Sequence, residues 1–466
     1  MNRSILILNA IIADRNGFRL GDLRIGEGLI QEVGDRLTPG YGDIVLDVRG
    51  GVVAPAFVDP HTHLRLPGDG ESETFESGSR AGALGGYASL LAMPNTTPVV
   101  DNLSILSHLR EMVKDLPLRI AFAASITKAR QGEVLSPIGE LASAGVRVFT
   151  DDGSGVQSNL VMRRALEVAS RLGVVVAQHA ETSEFFDGGV INEGLVSAEL
   201  GLPGIPGISE ELMVSRDIEL ATNTKAPIHF LHLSTARSAE LVRSARANGL
   251  AVTAEVTPHH LFLDDGATRS FDSRFKVNPP LRDRASIEAL WRAVGDGVFE
   301  VIGTDHAPHA TWKKDAPIEI AAFGMLGLQN SFQVLLTGAQ GVIADLGIIP
   351  KLPSQVIKSA QLLDNDPHPF ELLAWLWRII SMISWQSASL IGDTGGSIGI
   401  LDVGAIADLV VLDIEATRTM AIEALASKAK NSPYLGMTLN GAVRHLIVGG
   451  KALVIDEKLQ EEGNWR

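Results

Sequence analysis

Two textures alternate along the chain. The centre carries eight short runs rich in apolar and β-branched residues: Val52–Val58, Tyr87–Met93, Arg119–Ile126, Val146–Thr150, Val174–Gln178, Pro227–Leu231, Ala251–Val256 and Phe299–Thr304. Most are separated by stretches with helical spacing. Runs apolar at both parities predict parallel strands covered on both faces. Eight such strands interleaved with helices predict an α/β fold, a (β/α)8 barrel of the TIM type, over residues 54–394. The two ends differ from this centre. Residues 1–53 and 395–466 carry short β-rich segments broken by Gly and Asp, such as "SILILNAIIA" and "VRHLIVGGKALV". They predict a small β-sandwich built jointly from both termini.

The residues after each central run change the picture. Asp59-Pro60-His61-Thr62-His63 follows the first, Pro94-Asn95-Thr96 the second, and Asp151-Asp152-Gly153 the fourth. His179, His232, Thr257-Pro258-His259-His260 and Asp305-His306-Ala307-Pro308-His309 follow the last four. Of the twelve histidines, all but His108, His368 and His445 lie in or beside these runs. In barrels of this type, chemistry sits at the carboxyl ends of the strands. Side chains i and i+2 share a strand face, so His61 and His63 can chelate one ion together. Imidazoles joined by carboxylates, with no thiolate, suit Zn²⁺ or a related divalent ion.

Composition removes several alternatives. Hydrophobic residues make up 45% and charged residues 20%, the balance of a soluble globular chain. A formal net charge of −15 argues against nucleic acid as a partner. The absence of cysteine excludes disulfides, thiolate ligands and a cysteine nucleophile. The opening "MNRSILILNAIIAD" imitates a secretory signal but continues into more sheet-like sequence, so a first strand is expected. "FELLAWLWRIISMISW" (370–385) is too short to span a bilayer and carries Arg378. A buried or interface helix is expected there, and no membrane association.

The motifs "DPHTHLRLPG", "MPNTTPV", "FTDDG", "HLST", "EVTPHHL", "NPPLR" and "GTDHAPH" keep their order along nearly the whole chain. Together they resemble the cyclic amidohydrolases, and most closely the long-chain bacterial dihydroorotases. The resemblance implies two divalent ions, with zinc first in line. His61, His63 and Asp305 would bind one ion and His179 and His232 the other. Many relatives bridge the ions with a carboxylated lysine. Asp-Asp-Gly stands in that place here, and the family pattern selects Asp152, leaving Asp151 to hold the loop. The resemblance makes Asp305 the general base and acid around a hydroxide shared by the ions. His63, Arg65, Asn95, Asn278, His309, Phe323 and Gly324 would contact the substrate, Arg65 by a two-pronged grip on its carboxylate. His259, His260 and His306 are expected in supporting roles. Two divalent ions against two aspartates and a hydroxide leave the centre near roughly +1, a local field suited to an anion.

The implied activity is reversible cyclisation of N-carbamoyl-L-aspartate to L-dihydroorotate in pyrimidine biosynthesis, in the cytoplasm. Two alternatives stand beside it. One is a hydantoinase, dihydropyrimidinase or allantoinase, whose substrates mostly lack the ring carboxylate. The other is a non-catalytic scaffold for aspartate transcarbamoylase. A homodimer, and an active enzyme paired with that transcarbamoylase, both remain open. The segment 343–392 departs from the family texture and reads as an altered outer helix or a subunit contact.

Overall fold

The computed structural model describes residues 4–186, 188–363, 368–392 and 399–460. β1 (Ile5–Asp14), β2 (Gly17–Gly26), β3 (Leu29–Gly34), β4 (Ile44–Asp47) and β5 (Val52–Pro55) come first. β6 (Phe57–Thr62), β7 (Tyr87–Ala92), β8 (Arg119–Phe122), β9 (Val148–Phe149) and β10 (Val175–Gln178) follow. β11 (Ile191–Asn192) and β12 (Gly204–Ile205) pair with each other. β13 (Ile228–Phe230), β14 (Val252–Val256) and β15 (Val301–Ile302) resume the central pattern. β16 (Leu409–Thr419), β17 (Thr438–Val448), β18 (Lys451–Ile455) and β19 (Lys458–Leu459) come last.

The two ends of the chain meet in one sheet, ordered β19-β18-β17-β16-β5-β1-β2-β3, with β4 on β1. Its inner face buries Ile7, Ile12 and Leu23 from the N-terminal strands against Leu409, Val411 and Ile447 from the C-terminal ones. The β-rich segments of both ends therefore share one hydrophobic core. The opening stretch is β1, a strand as expected. The expected boundary at 394–395 lies outside the described residues.

In the centre, β6, β7 and β8 pair in parallel, as do β9, β10, β13, β14 and β15 in spatial order. Parallel bridges continue the ladder from Ala124, past β8, to Phe149 of β9, and from Thr62 of β6 to His306, past β15. The strand ends that carry the histidines are thereby drawn to one side. The run Val52–Val58, read as a single strand, is two. Val52–Pro55 belongs to the end sheet and pairs with β1 and β16, whereas Phe57 begins the central set. The handover occurs at Ala56, whose N–H donates to Asp408 O at 3.0 Å. A continuous apolar run conceals this change because both destinations are buried.

The helix Phe370–Ile383 explains the apolar patch that departed from the family texture. Every residue from Leu372 to Ile383 is buried. Trp375 packs edge-on against Trp291 with ring centroids 5.1 Å apart and donates to Ile348 O at 2.9 Å. Trp377 donates to Asp14 O at 2.8 Å, and Arg378 Nε to Val294 O at 3.0 Å. The helix thus ties the end sheet to the centre, as an internal brace. Residues 364–367 of the same segment lie outside the described residues. Among the described residues, no helix is long and apolar enough to cross a membrane. Replacing the fully buried Trp375 with Ala should cost about 3–5 kcal/mol. A lowered denaturant midpoint would show it, and an unchanged midpoint would contradict the bracing role.

Candidate metal centre and active site

Asp152 stands at the middle of the site. Four imidazoles surround its buried carboxylate: His61 Nε2 at 3.6 Å, His63 Nε2 at 3.4 Å, His179 Nδ1 at 3.5 Å and His232 Nε2 at 3.5 Å. These separations are too long for good hydrogen bonds. They match another geometry. Two ligand atoms each ~2.1 Å from one tetrahedral ion stand roughly 3.4 Å apart. His61, His63 and Asp152 form one group able to hold an ion, and Asp152, His179 and His232 form a second. Asp305 Oδ1 lies 2.9 Å from His63 Nε2 and 3.5 Å from His61 Nε2, on the side of the first group. His61 Nε2 and His232 Nδ1 are buried without any hydrogen-bond partner. The orphaned Nε2 of His61 faces the shared carboxylate, and Nε2 of His232 faces it too, 2.9 Å from His179 Nδ1. Such a cluster of ring nitrogens fits a divalent cation.

Electrostatics lead to the same place. Burial disfavours a charged His61, yet Glu255 and Asp152 outweigh it and hold its pKa well above the ordinary range. Burial likewise opposes charge on His179, but Asp152 and Glu181 draw its pKa up to about 9. Against its own burial, Asp152 is held well below the usual carboxylate range by His61, His179 and His232. Asp305 is held low in the same way by His63, His61 and His232. The buried carboxylates demand positive charge, which either protons or metal ions can provide.

Each member is fixed by the fold. His61 is the penultimate residue of β6, and its Nδ1–H is held by Glu255 Oε1. Glu255 Oε1 also accepts the backbone N–H of His232 at 3.0 Å. One carboxylate on β14 thus orients a ligand from each group. His61 and His229 pull the Glu255 pKa down to about 2 despite its burial. Asp59 accepts from His61 N and Thr304 N, both at 3.1 Å, and from Thr304 Oγ1, joining β6 to the turn before Asp305. Burial lifts the Asp59 pKa to about 7. Asp305 and His232 hold φ of +47° and +33°. Non-glycine residues pay strain there, and such positions cluster at functional sites. Asp151 accepts from Thr127 N at 3.0 Å and from Thr127 Oγ1, and so holds its loop.

The expected substrate contacts cluster around this centre, partly engaged with one another. Asn95 accepts from His63 Nδ1–H at 2.9 Å and donates to Asp152 Oδ2 at 3.2 Å, so here it orients two ligand candidates. Arg65 Nε donates to Pro308 O at 2.9 Å, and its Nη2 lies 3.2 Å from His309 Nε2. His309 Nε2–H donates to Phe323 O at 2.6 Å, so that nitrogen cannot also accept from Arg65. The terminal nitrogens of Arg65 therefore keep donor capacity. Asn278 donates to Glu181 Oε2 at 2.7 Å and lies 3.5 Å from His179 Nε2. Gly324 has φ +126°, and a Cβ there would meet Ala307 Cβ at 2.6 Å and His309 Nε2 at 3.0 Å. Only glycine lets this loop press against the His309 loop.

The remaining histidines differ. His260 bonds Thr257 Oγ1 and donates to Pro279 O, at 2.8 and 2.9 Å. His306 Nδ1 accepts from Gly327 N at 3.3 Å, and its Nε2 lies 3.5 Å from Glu73. His259 is fully buried with neither nitrogen partnered, and burial holds its pKa well below the ordinary range. The sequence pattern placed Asp59 at a strand end without a role, and it did not point to Glu255 or Glu181. An acid inside the otherwise apolar run "AVTAEV" was the signal available for Glu255.

Residues 50–238 match the family described as dihydro-orotase-like. A dihydroorotase of Leifsonia xyli subsp. xyli is 38% identical over 99% of this chain and 98% of its own. One from Acetivibrio thermocellus is 36% identical over 94% and 95%. Among solved structures, the L-hydantoinase (dihydropyrimidinase) from Arthrobacter aurescens superposes with a TM-score of 0.82 at 21% identity, covering 99% of this chain and 98% of that one. At that identity the likeness speaks for the fold, while the sequence relatives speak for descent. The chain belongs to the dihydroorotase family.

Proposed function

We propose that this chain is a metal-dependent cyclic amide hydrolase that interconverts L-dihydroorotate and N-carbamoyl-L-aspartate, a step of pyrimidine biosynthesis. The observation that carries this reading is the ring of His61, His63, His179 and His232 around Asp152, with Asp305 and Arg65 alongside. Full-length relatives named dihydroorotase support it. The eight parallel strands and their linking bridges support a closed (β/α)8 barrel over about residues 54–394, flanked by a β-sandwich of both ends. Zinc is the proposed metal, two ions per chain, on the strength of an all-nitrogen and oxygen donor set. A cytoplasmic location, a homodimer and a complex with aspartate transcarbamoylase rest on the resemblance alone.

Ions held here would supply Lewis acidity to the ring carbonyl and an acidified water. The protein supplies the rest. Asp305, ionised through its imidazole neighbours, takes the proton from the attacking water. As the ring C–N bond breaks and the new C–O bond forms, it returns that proton to the departing nitrogen. Arg65 offers its terminal N–H groups to the substrate carboxylate, and His309 and Gly324 form the adjoining wall. Asn95 and Glu255 accept from Nδ1–H of His63 and His61, which would present Nε2 of each to an ion.

The test is steady-state turnover of dihydroorotate beside dihydrouracil and hydantoin. The carboxylated ring should be preferred by at least about 100-fold, and Arg65→Met should raise its KM by about tenfold or more. A preference for the uncarboxylated rings, or an unaltered KM in the variant, would overturn the reading in favour of a hydantoinase. Glu255→Gln should weaken metal affinity by about 10–100-fold while the fold persists. Competition with a chromogenic chelator measures this, and wild-type retention of metal would contradict the orienting role of Glu255.

A further inference from the structure

Two loops that carry expected substrate contacts, Asn278 on one and Phe323-Gly324 on the other, are fastened by a group outside the catalytic centre. Lys314 is 4% exposed. Its Nζ donates to Lys276 O at 3.0 Å and to Ala322 O at 2.8 Å. Those carbonyls lie two residues before Asn278 and one before Phe323. Its own carbonyl accepts from Ser273 Oγ. Around it, Gly324 N donates to Lys276 O and Ala322 N to Lys313 O, both at 3.0 Å. Lys276, also buried, donates to Glu319 O at 3.0 Å and sets its ammonium 4.3 Å from the Phe323 ring centre. The stretch that begins with Asp305 and His309 therefore ends in a side chain gripping both other loops.

Burying an amine is costly unless its N–H groups are used. Here burial, then the neighbouring Lys276, pulls the Lys314 pKa down to about 7. The grip does not depend on that proton, because an amine in either state has the two N–H groups that two carbonyls require. An unbranched apolar side chain could fill the same space but would leave Lys276 O and Ala322 O one donor short.

We propose that Lys314 is a positioning residue: by tying the backbone at Lys276 to that at Ala322, it sets the spacing between the Asn278 and Phe323-Gly324 loops at the carboxylate-binding end of the site. The proposal rests on the dihydroorotase reading for its consequence in turnover, but not for its structural content. It places Lys314 in no proton transfer and in no contact with metal.

Two readouts on Lys314→Met separate these parts. Amide hydrogen exchange, recorded with and without chelator, should quicken at 276–278 and 322–324 together, with β6 and β10 unchanged. Steady-state kinetics should show KM for dihydroorotate raised about tenfold, with kcat within about threefold and metal content as in the wild type. Lys314→Gln, which keeps one donor, should fall between the two, and it serves if the methionine variant does not fold. Wild-type exchange in both loops, or a loss confined to kcat, would overturn the proposal. An inactive wild-type protein would instead defeat the functional reading, and the exchange result would still decide the role of Lys314.

Discussion

Buried negative charge in need of a counter-ion organises this molecule. Asp152, Asp305 and Glu255 are each 5% exposed or less, and among the described residues imidazoles stand within 4 Å of all three carboxylates. A carboxylate in such a place is tolerated only when positive charge or several donors compensate for lost hydration. Imidazole can give that compensation as a proton carrier or as a metal ligand. The 3.4–3.6 Å spacing around Asp152 favours the second, since hydrogen-bonded ion pairs would close to shorter distances.

The fold provides what those charges need. Parallel strands place His61, Asp152, His179, His232 and Asp305 at the same ends of adjacent elements. The backbone there adopts conformations that regular strands do not permit, as at His232 and Asp305. Strain of that kind persists only where the surroundings over-determine it. Glu255 and Asp59 contribute to that determination, each fastening residues from two strands. Behind them, the helix Phe370–Ile383 anchors the central strands to the sheet formed by the chain ends. The loops that carry Asn278 and Phe323-Gly324 are joined by bonds from the Lys314 and Lys276 side chains to backbone carbonyls.

Much of this was legible in the sequence, for identifiable reasons. Period-two geometry puts His61 and His63 on one strand face, and both turn Nε2 toward Asp152. The apolar runs declare buried parallel strands. What stayed hidden has a physical reason too. Val52–Val58 reads as one strand because two buried sheets demand the same residue types, and nothing marks the switch at Ala56. Glu255 lies in an apolar run, and sequence cannot say which imidazole it will meet across the strands. Asn95 was expected to meet the substrate, and its further bonds to His63 and Asp152 follow only from three-dimensional proximity. The patch at 370–385 was recognisable as helix, but whether it faced a partner or the interior depended on Asp14 and Val294, far away in sequence.

The central claim is that the four imidazoles and Asp152 enclose divalent cations. Anomalous diffraction from crystals of the gently purified, active protein, recorded on both sides of the zinc edge, tests it most directly. The account predicts two anomalous peaks flanking the Asp152 carboxylate, one within about 2.0–2.3 Å of His61 and His63 nitrogens and the other equally close to His179 and His232. Fully active crystals with no peak at Asp152, or with metal bound only elsewhere, would contradict it.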